Sequence, residues 1–291
     1  MKVRRICDAN APQGSRLEMV AGAPDAVVPA WLHELAPTAP GEGGAVLPFQ
    51  PRSFRDCMLF EQHWIQASRG FVRRFMPTTF RITQLYEHLA RSPFPAFRPP
   101  ALWKRQPIYY FSNHLTIIPG DTPVQYPSHT QAFDYELELG IVLAKPLFNA
   151  TPDEALDAIG GFVVLNDFSA RDIQRSEMRS GFGPQKCKHF LSSISQTLTT
   201  ADEVLQRIGS LTATVHLNGE LVSETSTANM RYSLGELLAF LSSSEPLHPG
   251  ELIGTGTLPG GCGIENGRLL ERGDTLRLSI EGIGELEHRI L

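Results

Sequence analysis

Residues 134–143, DYELELGIVL, alternate between polar and apolar side chains at their start. Because successive side chains of a strand point to opposite faces, the apolar side chains from Tyr135 to Leu143 would share one face. Asp134, Glu136 and Glu138 would share the other. The following letters, GIVLA, are apolar on both faces, which predicts that this strand runs into a buried sheet.

Three Ser/Thr-x-x-Glu patterns predict the starts of helices, since the hydroxyl accepts from a helix N–H while the Glu side chain reaches back. They begin at Thr151, Thr200 and Ser233, and the first carries proline at the first helical position. The first of these helices is predicted to end at the Gly-Gly pair 160–161. A further helix is predicted over 53–70, closed by its final glycine.

The remaining pattern favours strands. They are predicted over 162–167, on either side of an Asn-Gly hairpin turn in TATVHLNGELV, and in GELIGTGTL, DTLRLSIEG and GELEHRIL. A short helix is expected near Ala170. Because strands dominate and the elements do not alternate as βαβ units, the sequence predicts a mixed α/β fold that is mostly β.

The first 50 residues are rich in Ala, Pro and Gly. This composition predicts a lead-in segment, 1–50, with little regular structure and one short helix near 31–35. Residues 51–291 would then form the main domain, which is long enough to bury a full core.

Composition narrows the class of protein. The chain has 291 residues, 42% hydrophobic and 20% charged, as in soluble globular proteins, and a formal charge of -5. The acidic balance and the absence of a Lys/Arg cluster argue against a nucleic-acid partner. No apolar run is long enough to span a membrane, and no secretory signal is recognisable. The four cysteines lie far apart without a CxxC pair, which favours a reducing, cytoplasmic location.

The two glutamates on one strand face need an explanation. Glu136 and Glu138 would repel each other in a buried sheet unless one is protonated or a cation lies between them. Asp167, at the end of the next predicted strand, brings a third carboxylate. Three carboxylates without a Cys/His cluster favour a hard divalent ion over zinc. The alternative is a solvated polar face on an edge strand.

Several segments, in this order, resemble the fumarylacetoacetate hydrolase family: DYELELGIVLAK, GFVVLNDFSARDIQ, GPQKCKHF, HLNGE, STANMRYS, LHPGELIGTGTLPGG and GRLLERGD. The resemblance runs from about Phe54 to the C-terminus. It implies the family's catalytic domain, a β-roll or mixed β-sandwich with a few short helices, and a homodimer. It gives no match for the first 50 residues.

The resemblance also implies a metal site. Glu136, Glu138 and Asp167 match the family's metal ligands, and Asp56 matches an additional Asp ligand because it precedes His63 by the same seven residues. The implied cofactor is a divalent cation, Mg²⁺ in the first place, with Ca²⁺ and Mn²⁺ as alternatives.

His63 matches the general base, and Lys188 in KCKHF matches a catalytic lysine that faces the substrate. Small members of the family carry H-x-x-E, but this chain has Gln66 at the last position. The resemblance implies Glu271 as the carboxylate that orients His63, with Glu61 as the alternative.

The implied substrate contacts come from four segments. Arg171 and Gln174 of SARDIQ and Tyr110 of PIYYFS match substrate-binding positions, and either Arg73 or Arg74 matches a substrate-binding arginine. The GTGTLPGGCG stretch lacks a dinucleotide-binding spacing. We interpret it as a loop close to the ligand, with Thr257 in contact with the substrate.

These expectations together describe a metal-dependent hydrolase that cleaves a C–C bond in a small 1,3-dicarbonyl or acylpyruvate-type keto acid. A decarboxylase, isomerase or hydratase with the same metal-enolate chemistry is the first alternative. The second is a non-catalytic binding protein stabilised by a metal. Neither a nucleic acid nor a membrane is expected as a partner.

Overall fold

The computed structural model describes residues 1–8, 10–11, 14–23, 26–37 and 45–291. The described part of the chain is a mixed α/β structure built on large sheets, as the sequence predicts. Its strands are β1 (Lys2–Cys7), β2 (Ser15–Ala21), β3 (Ser53–Cys57), β4 (Tyr109–Ser112), β5 (Ile117–Pro119), β6 (Phe133–Asp134), β7 (Glu136–Leu143), β8 (Ile159–Asn166), β9 (Ser169–Ala170), β10 (Ser192–Ile194), β11 (Thr197–Thr200), β12 (Thr212–Leu217), β13 (Glu220–Ser226), β14 (Glu251–Cys262), β15 (Thr275–Ile280) and β16 (Gly284–Arg289).

The helices between these strands are mostly short. They are α1 (Ala30–Glu34), α2 (Glu61–Phe75), α3 (Pro77–Ala90), α4 (Pro152–Asp157), α5 (Arg171–Arg179), α6 (Ala201–Val204), α7 (Leu234–Leu241) and α8 (Gly263–Asn266), with single 3₁₀ turns at Pro95–Phe97, Ala101–Lys104, His114–Thr116 and Leu205–Arg207.

The largest sheet has β7 near its centre. Its strands follow the order β2-β1-β11-β8-β7-β14-β3-β4, with β10 and β5 branching from β8. Every residue of β7 is buried, so the polar face of this strand is not a solvated surface. A second sheet, β13-β12-β15-β16, and the small β6-β9 pair complete the topology.

Apolar side chains cover both faces of β7. On one face Leu137, Leu139 and Ile141 pack in the main core with α7 and the second sheet. On the other, Val142 packs with residues of β1 and α1, among them Val3. The continuous burial of β7 follows from this layered arrangement, in which elements lie over both faces of the sheet.

The predicted lead-in is more ordered than its composition indicates. Within its described residues it contains β1 and β2, and β1 pairs with β11 at the edge of the largest sheet. Leu32 of the predicted short helix is fully buried. The expectation of little regular structure is therefore wrong for these parts, because backbone pairing to a sheet edge needs no strong local pattern.

The predicted helix over 53–70 is also wrong at both ends. Residues Ser53–Cys57 pair in parallel with β14, and the helix begins only at Glu61. It then continues through Gly70 to Phe75. A Cβ at Gly70 would lie 1.9 Å from the carbonyl oxygen of Ile264, so this glycine permits close packing of α2 on α8 and does not end the helix.

Two of the three predicted capping boxes are confirmed, at Thr151 and Ser233. The third is wrong. Thr200 and Glu203 instead bind the Met1 nitrogen, at 2.8 and 2.5 Å. The hairpin turn is confirmed, because both Asn218 and Gly219 have positive φ angles, 55° and 83°.

The loop predicted over 254–263 is wrong, because bulges keep β14 paired with β7 as far as Cys262. The predicted helices shift only at their ends. The first helix ends at Asp157, three residues before the glycine pair, and β8 runs from Ile159 to Asn166. The helix expected near Ala170 begins at Arg171. Among the described residues, none of the helices is both long and apolar enough to cross a membrane.

The capping box of α7 gives a stability prediction. Ser233→Ala removes the hydroxyl that accepts from the Glu236 N–H. We expect the free energy of unfolding to fall by about 1 kcal/mol, because a helix N–H loses its partner. Denaturant unfolding measures this change, and Ser128→Ala, at an exposed loop position, is the matched control. Equal stability of the two variants would contradict the prediction.

Candidate active site

Four carboxylates meet at the centre of the largest sheet. Glu136 and Glu138 come from β7, Asp56 from β3, and Asp167 directly follows β8. Their exposed fractions are 4%, 0%, 5% and 0%. The Asp167 amide donates to the carbonyl oxygen of Glu136 at 3.1 Å, which fixes the end of β8 against the start of β7.

A glycine of β14 lets Asp56 and Glu138 approach each other. Gly254 is opposite Asp56 in the β3–β14 pair. A Cβ at this glycine would lie 2.7 Å from Oε2 of Glu138 and 2.8 Å from Oδ1 of Asp56. Any side chain here would displace one of the carboxylates, so the site requires glycine at position 254.

Burial and mutual repulsion favour protons on two of the carboxylates. Burial, together with the charge of Asp167, raises the pKa of Asp56 to about 7. Burial and the Asp56 carboxylate raise the pKa of Glu138 well above its usual value. Oδ1 of Asp56 is buried and has no hydrogen-bond partner. The positive charge of Lys188 opposes the rise in the pKa of Asp56 without overcoming it.

Glu136 and Asp167 are held by cations of the chain. Although burial opposes ionisation of Glu136, the charges of Lys188 and Arg171 together lower its pKa to about 2. The Lys188 ammonium contacts Glu136 and lies 2.7 Å from Oδ2 of Asp167. Lys188 thus occupies the position between these two carboxylates.

Asp167 receives two further hydrogen bonds. Tyr110 Oη donates to its Oδ2 at 2.5 Å, and Ser192 Oγ donates to its Oδ1 at 3.0 Å. Burial and the neighbouring Asp167 raise the pKa of the Tyr110 phenol well above its ordinary value. The phenol therefore acts as a donor that fixes the orientation of Asp167.

His63 of α2 forms a dyad with Glu265 of α8. Nδ1 of His63 contacts Oε1 of Glu265, and the other carboxylate oxygen accepts from the Gly260 N–H at 2.5 Å. The side chain of His63 is 13% exposed and that of Glu265 only 2%. A carboxylate accepts from a ring N–H, so this contact suits the tautomer with its hydrogen on Nδ1 and leaves Nε2 outside the dyad contact.

The expected contact between His63 and Glu271 is wrong. Glu271 is exposed in a turn, where its N–H donates to Asp274 at 2.8 Å. Glu61, the alternative, is exposed at the start of α2. Sequence reasoning missed Glu265 because α8 spans only four residues, Gly263–Asn266, and so has no hydrophobic periodicity.

Arg171 and Asp134 connect the carboxylates to α8. Arg171 Nη2 donates to Glu136 at 2.6 Å, and its Nε donates to Asp134 at 2.7 Å. Asp134 in turn accepts from the N–H groups of Gly263 and Ile264, at 2.7 and 2.9 Å. The strand alternation placed Asp134 beside the glutamates but gave no sign of this contact with α8.

Besides Arg171, three of the predicted substrate contacts lie at the site. Gln174 accepts from Arg171 at 3.0 Å, and Thr257 Oγ1 donates to Glu138 at 3.4 Å. Tyr110, as described above, donates to Asp167. In this structure each of these side chains is joined to one of the charged groups.

Arg73 lies apart from the four carboxylates. Its Nη2 donates to the backbone carbonyl oxygen of Glu265 at 3.1 Å. With Arg74, Arg268 and Glu271 it lines a cavity of about 610 Å³, and none of the four carboxylates is part of that lining. Two residues predicted for the active site, Arg73 and Glu271, thus share this separate cleft.

Comparison with known proteins identifies the family. The family model for the fumarylacetoacetate (FAA) hydrolase C-terminal domain matches residues 80–291, which is most of the chain. The protein therefore belongs to the fumarylacetoacetate hydrolase family, as the sequence motifs indicated. The match includes Glu136, Glu138 and Asp167 but begins after Asp56 and His63.

Two relatives are similar to this chain over about two thirds of its length. An uncharacterized protein from Methanocaldococcus jannaschii is 32% identical over 186 residues, 63% of this chain and 73% of that protein. The homoprotocatechuate catabolism bifunctional isomerase/decarboxylase from Escherichia coli is 29% identical over 195 residues, which are 67% of this chain. This chain covers only 42% of that enzyme.

A solved structure with the same fold contains a metal. Fumarylpyruvate hydrolase from Pseudomonas aeruginosa, in complex with Mn²⁺ and pyruvate, has a TM-score of 0.61 and 21% sequence identity. The alignment covers 88% of this chain and 97% of that one. At this identity the likeness establishes the shared fold.

The raised pKa of Asp56 predicts a pH effect on stability. In metal-free protein the folded Asp56 keeps its proton up to about pH 7, whereas an unfolded Asp releases it near 3.8. The folded state binds more protons in between, so stability should fall as pH rises through that interval. Asp56→Asn, which cannot ionise, should weaken this slope. Melting temperatures in chelator at pH 4 to 8 measure this slope. Equal slopes in the wild type and in Asp56→Asn would refute the assignment of the retained proton to Asp56.

Proposed function

We propose that this protein is a divalent-metal-dependent hydrolase that cleaves a C–C bond in a small acylpyruvate or related 1,3-dicarbonyl acid. The observation that carries the proposal is the pairing of two sites within one buried region. One is the group of four carboxylates, two of which contact Lys188, and the other is the His63–Glu265 dyad. The first suits a hard cation, and the second suits a general base.

The carboxylates fit a divalent cation by their chemistry. All four offer oxygen ligands, two have raised pKa values through burial and repulsion, and one buried oxygen of Asp56 has no partner. A cation would relieve the repulsion that Lys188 offsets only at Glu136 and Asp167. When bound, a divalent ion would polarise the keto oxygen of the substrate as a Lewis acid. We expect Mg²⁺ first, with Mn²⁺ and Ca²⁺ as alternatives.

The dyad would activate water. Glu265 holds His63 by Nδ1 and stabilises the imidazolium that forms when Nε2 takes a proton from water. The resulting hydroxide adds to the carbonyl carbon of the substrate. The C–C bond then breaks, its electron pair stays on the leaving carbon as an enolate, and His63 returns the proton.

Basic residues of the site would hold the substrate charge. Lys188 and Arg171 are both buried cations that contact Glu136. Each can donate to a carboxylate or enolate oxygen, and one such preorganised donor is worth roughly 3 kcal/mol in the transition state. Gln174 extends this group through its hydrogen bond to Arg171. Tyr110 keeps Asp167 oriented toward the site.

The dyad favours hydrolysis over the alternatives, because a carboxylate that orients His63 compensates for the Gln66 that replaces the family's glutamate. The activity of the E. coli relative supports isomerisation or decarboxylation as the second candidate function. Those reactions need no attacking water and hence depend less on the dyad.

We further propose a homodimer in the cytoplasm. The wide separation of the four cysteines along the sequence, without a CxxC pair, supports this location.

Product analysis tests the proposed reaction. Purified protein with Mg²⁺ is incubated separately with an acylpyruvate and with oxaloacetate. Hydrolysis of the acylpyruvate should give two acids, one of which carries oxygen from labelled water. Carbon dioxide from oxaloacetate without acylpyruvate cleavage would establish decarboxylation instead. Absence of turnover on a broad diketo acid panel, with metal-dependent stabilisation, would support a binding protein.

The metal assignment predicts reversible loss of activity. A chelator should abolish turnover, and excess Mg²⁺ should restore it. Glu138→Gln should also abolish turnover and remove the rise in melting temperature on Mg²⁺ addition, because a neutral amide is a poorer ligand. Glu177→Gln, whose carboxylate binds backbone N–H groups near residue 186, is the matched control for metal stabilisation. Full turnover of metal-free protein would refute this role.

The dyad gives a separate kinetic prediction. His63→Ala should lower kcat by about 10²- to 10⁴-fold, the usual contribution of a general base, while stabilisation by Mg²⁺ persists. Glu265→Gln should lower kcat in the same direction. The matched control is Glu271→Gln, which changes an exposed turn glutamate and should leave kcat within about twofold. If Glu271→Gln lost activity and Glu265→Gln did not, the structural assignment of the dyad would be wrong.

A further inference from the structure

We propose that His63, Cys262 and Glu265 form a second metal site, specific for thiophilic ions such as Zn²⁺ and Cd²⁺. One nitrogen, one sulfur and one oxygen from these side chains lie within 4.8 Å of one another. Among the described residues, this is the group of His, Cys, Asp and Glu side chains whose ligand atoms all lie within this distance of one another. The four carboxylates do not.

A single oxygen is the centre of this cluster. Oε1 of Glu265 contacts Nδ1 of His63 and lies 3.3 Å from the Cys262 sulfur. Its other oxygen is held by the Gly260 N–H at 2.5 Å, so Oε1 is fixed toward both neighbours. A metal ion would replace the two hydrogens that now join the histidine and the thiol to this carboxylate. The hydrogen bond from Gly260 orients the Glu265 carboxylate in the way that outer hydrogen bonds typically orient metal ligands.

The donor set selects soft ions. A Cys-His-carboxylate set supplies the N, S and O ligands of tetrahedral zinc sites, whereas Mg²⁺ and Ca²⁺ prefer oxygen alone. The 3.3 Å separation of sulfur and oxygen is close to the roughly 3.5 Å expected between two ligands of a tetrahedral zinc. The side chain of His63 is 13% exposed, so the cluster reaches solvent, and a water would supply the fourth ligand.

Binding here would block the dyad. A metal on Nδ1 and on the Glu265 carboxylate removes the hydrogen bond that orients His63. Zn²⁺ should therefore inhibit turnover even when Mg²⁺ saturates the carboxylates, and this consequence rests on the proposed function. The binding itself does not, because the three ligands are defined by their geometry.

Cadmium titration tests the site without an activity assay. The protein carries Cys7→Ser to remove an exposed thiol, and Mg²⁺ is kept in excess. One equivalent of Cd²⁺ should produce the ultraviolet thiolate-to-cadmium charge-transfer band. Cys262→Ser, which keeps a small donor beside Glu265, should abolish the band. Glu138→Gln should retain it, because the carboxylate group is separate.

Two further measurements complete the test. His63→Ala should weaken Cd²⁺ binding at least tenfold while its far-ultraviolet circular dichroism stays native. Zn²⁺ should inhibit the wild type more than tenfold more strongly than Cys262→Ser, with the inhibition of each protein measured relative to its own turnover without Zn²⁺. A missing band in the Cys7→Ser protein, or an equal band in Cys262→Ser, would overturn the metal site. A normal band without inhibition would instead overturn the role of the dyad in turnover.

Discussion

Repulsion between buried carboxylates is the constraint on which this structure depends. Glu136, Glu138, Asp56 and Asp167 all lie at the centre of a sheet whose central strand is buried along its whole length. Coulomb repulsion in such a low-dielectric region is strong, so each carboxylate must be protonated or paired with a cation. Lys188 is paired with two of them, and the others are left with raised pKa values. The surplus of negative charge is the physical reason to expect a metal.

The same network determines where the His63–Glu265 dyad lies. Arg171 joins Glu136 to Asp134, and Asp134 holds the first N–H groups of α8, the helix that carries Glu265. The carboxylates and the dyad are therefore connected by direct hydrogen bonds through a buried ion pair. Removal of one partner of such a pair leaves an uncompensated buried charge and is strongly destabilising. This connection gives Asp134 a positioning role although it contacts neither proposed reaction centre directly.

The parts of the site that a local pattern encodes could be predicted from the sequence. The alternation around Glu136 and Glu138 and the motif ending at Asp167 gave their strands and their shared burial. Contacts that depend on tertiary packing could not be predicted. Asp56 lies on a strand because β3 pairs with β14, although its neighbours have a helical spacing. The partner of His63 is set by the packing of α2 on a four-residue helix, which has no sequence signature of its own.

Strand register explains why the four carboxylates, a group of hard oxygen donors, lie beside the softer donor group of His63, Cys262 and Glu265. Cys262 is opposite Glu136 in the β7–β14 pair, and the bulges of β14 place Thr257 opposite Glu138. The chain then turns directly into α8, which brings Glu265 within 3.3 Å of the thiol. One strand pair thus supplies oxygen ligands on β7 and ends in a Cys-x-x-Glu segment beside His63. The two groups lie on neighbouring strands, only one strand spacing apart. Donor chemistry alone would therefore decide which of the two groups binds a hard ion and which binds a soft ion.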